Sequence, residues 1–280
     1  MHHPATNPPH VMTIGGSDSG AGSGVQADLK TFAALGTYGT SILTAVTAQN
    51  TREVAAIAEV PEEIVIAQID TVAEDIGAQA IKTGMLGNRK LIQNVVDRLE
   101  AWGIPHLVVD PVMVSGSGVP LLASDALAPL RDELLPLAAV VTANLDEASA
   151  LTGIDLTSRS QMEEAARALR EMGPSVVVIE GGQMEDLKAD LVMNGDTTEW
   201  LEAPPAPTPN AHGAGCTLSA AIAALLAHDC EPFEAIRLAR LYLTNALEHA
   251  YRVGEGLSPV NHFAPLPEEI ADRIGQWTRA

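Results

Sequence analysis

The chain has 280 residues, 46% of them hydrophobic, with 36 acidic against 16 basic side chains and a formal net charge of -20. That apolar content sustains a folded core and excludes a disordered chain. The acidic balance is the opposite of a nucleic-acid binder's, and no apolar run approaches the roughly 20 residues of a membrane span, so neither partner is expected. Two cysteines, Cys216 and Cys230, form no Cys-x-x-Cys pair. They give no disulfide framework and suit a reducing cytoplasm. Only four lysines occur, Lys30, Lys82, Lys90 and Lys188. Such a surface is highly soluble, and it is also the balance of a protein from a host with high internal salt. Residues 1–10 are rich in Pro and His and lack a charged segment followed by an apolar one. They read as a frayed tail, not a secretory leader, ahead of a single domain over 11–280.

Short β-branched runs alternate with amphipathic helical stretches. Strands are expected over 11–15, 41–48, 106–110, 139–143 and 176–180, and helices over 25–35, 62–76, 89–102, 146–151 and 161–172. This alternation predicts a mostly parallel central sheet with helices on both faces. The texture then changes. Residues 190–202 read as a hairpin turning at Asn194-Gly195, and 203–209 as a Pro-rich connector. An almost wholly apolar helix over 217–228 should lie deep in the fold. Helices over 233–253 and 267–278 close the chain.

In open parallel sheets ligands bind at the carboxyl ends of the strands, and the informative residues fall there. After the first strand comes a glycine-rich run, Gly15 to Gly24, followed by Asp28. Gly22-x-Gly24-x-x-Ala27 matches the loose dinucleotide pattern, yet the next strand ends at Gln49-Asn50 where that pattern wants an acid. No Gly-Lys dipeptide exists, so a P-loop is absent. A second glycine loop, Asn210 to Thr217, opens a helix, and the N–H groups at a helix N-terminus form an anion cradle. Cys216 stands where that dipole lowers a thiol pKa, or is a structural cysteine beside a packed helix. Asp110 ends a strand, and Asn144-x-x-Glu147 opens a helix. A Mg²⁺ ion takes one or two carboxylates plus phosphate and water, but Asn144 with Glu147 also reads as a plain capping box. His212 reads equally as a loop histidine holding backbone geometry.

These pieces, in this order, resemble the ribokinase superfamily, a three-layer α/β/α sandwich. More narrowly they resemble the hydroxymethylpyrimidine/phosphomethylpyrimidine kinases of thiamine synthesis. The segments that carry the likeness are TIGGSDSGAGSGVQADLKTFAALGTYGTSILTAVTAQNT, IKTGMLG, VDPVM, NAHGAGCTLSAAIAA and Gly254 to Phe263. The resemblance implies ATP and Mg²⁺ as cofactors, and two successive phosphorylations of a small pyrimidine. It implies a substrate pocket from Gly16, Asp28, Gln49 and Met85, and an anion hole from the backbone of Gly213, Ala214, Gly215 and Cys216. Cys216 stands where sugar kinases of the superfamily carry the aspartate base. Asn144 and Thr217 would face the nucleotide, Asp110 and Glu147 the metal. A homodimer is implied by analogy.

Departures accompany the likeness. Ala211 and Ala214 stand where threonine is usual, and Ala143 where proline is usual. Glu180, Glu255, Gly116 and Pro209 replace cations common in the family. Two further readings follow: a pyridoxal kinase of the same fold, or a pyrimidine-binding protein that has lost transfer.

Overall fold

The computed structural model describes residues 7–103, 105–182, 189–202 and 212–278. The first six residues of the expected tail, the connector 203–209, Asn210, Ala211 and Lys188 lie outside them. Among the described residues one sheet of nine strands runs in the order β3-β2-β1-β4-β5-β6-β7-β8-β9. The strands are β1 (His10–Asp18), β2 (Tyr38–Gln49), β3 (Val54–Glu59), β4 (Ala80–Thr83), β5 (His106–Val109), β6 (Val140–Asn144), β7 (Val176–Glu180), β8 (Ala189–Asn194) and β9 (Thr197–Glu202). From β2 across to β7 every pair is parallel, while β3, β8 and β9 join antiparallel.

Nine helices flank this sheet among the described residues: α1 (Gly24–Ala34), α2 (Glu62–Asp75), α3 (Arg89–Trp102), α4 (Leu127–Pro129), α5 (Leu145–Thr152), α6 (Arg159–Glu171), α7 (Ala214–Ala227), α8 (Pro232–Glu248) and α9 (Glu268–Thr278). A π turn, Leu130–Leu134, and a 3-10 turn, Leu135–Leu137, continue α4. The strand period of two sorts side chains between faces. Met12, Ile14, Ile81, Val109 and Val141 pack on one side with α2, α3, α5 and α6. Val11, Ala80, Val108 and Val140 pack on the other with α1, α7, α8 and α9. This is the expected three-layer sandwich of the ribokinase-like fold. Helix α7 is buried from Thr217 to Ala227, as its apolar sequence requires. None of the described helices is long and apolar enough to cross a membrane.

Several boundaries differ from the sequence reading. Strand β1 begins at His10, and the Tyr38 N–H donates to the Pro9 carbonyl, so the last residues of the expected tail belong to the sheet. Beyond Gly15 a register shift against β2 carries β1 on to Asp18. Such a bulge re-aims the strand at a site's rim. Strand β3 and the four-residue β4 carry too little alternation to be read alone. Helix α8 stops at Glu248, not Val253, and α7 begins at Ala214, three residues before the expected start.

Candidate active site

The carboxyl ends of β1, β2, β4, β5, β6 and β7 open into one cavity of about 800 Å³. All but β7 deliver a candidate there: Gly16 from β1, Gln49 from β2, Met85 after β4, Asp110 after β5, Asn144 and Glu147 from β6 into α5. Asp28 from α1, and Gly213, Ala214, Gly215 and Cys216 at the start of α7, complete the lining. Thr217 is the exception. It is fully buried, and its hydroxyl donates to the Gly213 carbonyl at 2.8 Å. It therefore does not line this cavity.

Two glycine loops meet at the mouth. Gly213 sits in the left-handed region at φ 81°, and a Cβ there would strike the Gly22 carbonyl. Only glycine lets the loops pack this closely. Asp18 ties them together. Its carboxylate accepts from the backbone N–H groups of Gly20, Gly22 and Ser23 at 2.8, 3.0 and 2.8 Å, from the Ser23 hydroxyl at 2.9 Å, and pairs with His212 Nε2 at 3.2 Å. Burial works against this charge, but the hydrogen bonds from His212, Ser23 and Gly20 outweigh it and pull the carboxyl down to about 2. His212 thus holds loop geometry, and its Nε2 also lies 3.4 Å from Gln49 Nε2.

On the β1–β4 side the Met85 side chain packs over Gly16, its sulfur 2.9 Å from where a Cβ would stand. Asp28 lines this side, yet its oxygens are taken. Lys82 Nζ lies 3.1 Å from both, and Thr13 donates at 2.6 Å. Lys82 is 1% exposed and reaches Asp110 at 3.6 Å. Burial alone would strip its charge, but Asp28, Cys216 and Asp110 outweigh it and hold the ammonium above its ordinary range.

Burial pushes the Cys216 thiol up to about 12, with Lys82 opposing. The expected lowering by the helix dipole is thus overturned: desolvation dominates, and the resting group is a thiol. The capping box forms as read. Asn144 Oδ1 accepts from the Glu147 N–H at 2.9 Å, and Glu147 Oε2 from the Asn144 N–H at 3.0 Å. Burial and then the Asp110 charge push Glu147 up to about 8. Burial, Asp190 and Asp110 do the same to Glu180, to about 8, against Arg240. Among the described residues no three His, Cys, Asp or Glu side chains converge closely enough to hold a metal by themselves. Asp110 and Glu147 still fit a Mg²⁺ that keeps water and phosphate oxygens, because a divalent charge relieves the repulsion that raises Glu147.

Three lining residues escaped the sequence reading. Asp18 carried a signal, since Asp followed by Ser-Gly is a side-chain-closed turn. Lys82 was noticed but had no place until β4 put it beneath the cavity. Arg240, 3.0 Å from Asp190, comes from an ordinary amphipathic helix and left no mark. Glu180 and Gly116 line the cavity, whereas Glu255 lies outside it, exposed and paired with Arg252 at 2.7 Å.

Comparison with known proteins agrees with this geometry. The profile of the family described as phosphomethylpyrimidine kinase matches residues 18–261. A hydroxymethylpyrimidine/phosphomethylpyrimidine kinase from Streptomyces coelicolor is 46% identical over 95% of this chain and 98% of its own length. Among solved structures, an ADP complex of Bacillus subtilis pyridoxal kinase aligns with TM-score 0.86 and 36% identity, over 92% of this chain and 98% of that one. A phosphomethylpyrimidine kinase from Clostridium difficile aligns with TM-score 0.78 and 38% identity, over 85% and 99%. The chain therefore belongs to the hydroxymethylpyrimidine/phosphomethylpyrimidine kinase family of phosphotransferases with the ribokinase-like fold.

Proposed function

We propose that the chain transfers the γ-phosphoryl group of ATP to the hydroxymethyl oxygen of 4-amino-5-hydroxymethyl-2-methylpyrimidine, and then a second group to the monophosphate. One observation carries this reading: a glycine-walled pocket and a helix N-terminus bearing Cys216 open into the same cavity. The pyrimidine lies against Gly16 and Met85, with the Gln49 amide at its aminopyrimidine edge. Asp28 serves the substrate through Lys82, whose charge it fixes. The N–H groups of Ala214, Gly215 and Cys216 receive the transferring phosphoryl group, where preorganised donors count most. The phosphorus–oxygen bond to the pyrimidine forms as the γ-phosphorus bond to ADP breaks, and the hydroxyl proton passes to Cys216 in its thiolate form. Because the resting thiol sits near 12, turnover is expected to climb toward alkaline pH.

Mg²⁺, when bound, neutralises phosphate charge, and Asp110 and Glu147 would hold it. Asn144 lines the cavity, and its Oδ1, engaged in the cap, orients Glu147. ADP in the Bacillus subtilis neighbour's complex supports the nucleotide. One folded domain over residues 11–280, the cytoplasm and a homodimer complete the reading. The two cysteines are both free among the described residues, and the edge strand β3 leaves Ile57 exposed on one face while Ala58 pairs with the exposed Val46 of β2 on the other.

Fold similarity does not choose the ring, and the pyridoxal kinase neighbour aligns at least as well as the pyrimidine kinase. The test is therefore a Cys216→Ala variant assayed on both rings. Turnover of the pyrimidine should fall about 100-fold or more with KM little changed, as for a group acting only in the transition state. Undiminished turnover would remove Cys216 from the chemistry.

A further inference from the structure

The cradle is a row of backbone N–H groups, so its geometry depends on whatever fixes the peptide planes. The Gly213 carbonyl accepts twice from Thr217, from its N–H at 2.9 Å and its hydroxyl at 2.8 Å. A peptide unit is planar, with C=O and N–H pointing opposite ways. Holding the Gly213 carbonyl along α7 therefore aims the Ala214 N–H out of the helix end, into the cavity that Ala214 lines.

The Thr217 hydroxyl has one proton, and the short bond to Gly213 uses it. Its second neighbour, His262 Nε2 at 3.0 Å, must then be the donor. This fixes the His262 tautomer and makes a relay: His262 N–H to Thr217 oxygen, Thr217 O–H to Gly213 carbonyl. Both side chains are sealed, Thr217 at 0% and His262 at 4% exposed. The segment bearing His262 is itself anchored. The His212 N–H donates to the Ser258 carbonyl at 3.1 Å, and the Asn261 N–H to the Ala246 carbonyl at 3.0 Å. Burial, aided by Lys30, pulls His262 down to about 4, so it stays neutral with one ring N–H, as the relay requires.

We infer that His262 is a positioning residue for phosphoryl transfer, acting through Thr217 to set the Gly213–Ala214 peptide of the cradle. The carboxyl-terminal segment thereby belongs to the catalytic apparatus although His262 touches no reacting atom. The inference rests on the reading of Gly213 to Cys216 as the phosphate cradle.

The test is steady-state kinetics on the full chain. Thr217→Val and His262→Leu remove the hydroxyl and the ring donor, and Thr217→Ser and His262→Gln retain each function. The first two should lose about 10- to 100-fold in kcat, with the pyrimidine KM within about 2-fold, since a misaligned donor forfeits part of the roughly 100- to 1000-fold that a whole one is worth. The double variant should be no worse than the poorer single, because both cut one relay. The retaining variants should keep most of the turnover. Unchanged kcat in Thr217→Val, an equal loss in Thr217→Ser, or fully additive losses would overturn the inference. Should His262→Leu fail to fold, the Thr217 pair decides alone. If Cys216→Ala abolishes turnover while Thr217→Val does not, only the positioning inference fails. If Gly213→Ala also leaves turnover intact, the cradle reading falls with it.

Discussion

At the scale of single residues, buried charge decides most of the site. Asp18 is 3% exposed, and its native carboxyl is held at about 2 against 3.8 ordinarily. A depressed carboxyl contributes stability that is complete above the unfolded value and disappears as pH falls through the folded one. The window is thus roughly pH 4 down to 2, and the contribution at neutral pH is about 2 kcal/mol. Asp18→Asn should lose that much in denaturant unfolding at pH 7 and converge with the parent near pH 2. A parallel pH dependence in both proteins would show that Asp18 does not anchor the loops. Glu180 lines the cavity, and burial, with Asp190 and Asp110 adding to it, pushes its carboxyl up to about 8. Glu180→Lys should lower the KM for ATP several-fold, by placing a cation near phosphate where a mostly protonated carboxyl now stands. An unchanged KM would place the phosphates elsewhere.

At the scale of elements, the strands and helices that present a clear period were legible in sequence. Helix α3 matches its expected bounds, because Asn88 caps it and Gly103 stops it in the left-handed region. The expected hairpin forms, with its two-residue turn one position later, at Gly195-Asp196 between the paired Asn194 and Thr197, where Gly195 takes the left-handed region. What was not legible depended on tertiary contact. Strand β3 is exposed and pairs only at the sheet edge. Strand β4 hides a lysine at its centre, which no hydrophobic pattern anticipates. In the site, the glycines and the residues at strand ends could be read from position. The engagement of Thr217 with His262 spans 45 residues, and only the fold reveals it. The same logic gives an element-level prediction. Gly213→Ala must push the two glycine loops apart at a strained φ. It should cost about 1 to 3 kcal/mol of stability together with most of the turnover. Full activity in this variant would mean that the loops need not touch.

At the scale of the whole molecule, the sandwich sets the site cavity against an acidic surface. A net charge of -20 repels a nucleotide, and salt screens that repulsion over about 10 Å at 0.1 M. The ATP KM should therefore fall as KCl rises, and insensitivity to salt would leave the surface charge without a part in nucleotide binding. The central claim is pyrimidine phosphorylation in this cavity. It is tested most directly by ADP release from ATP and Mg²⁺ with hydroxymethylpyrimidine, its monophosphate and pyridoxal in parallel. The account predicts turnover of both pyrimidines with a higher kcat/KM than pyridoxal. Turnover of pyridoxal alone, or calorimetric binding of the pyrimidine with no ADP released, would contradict it.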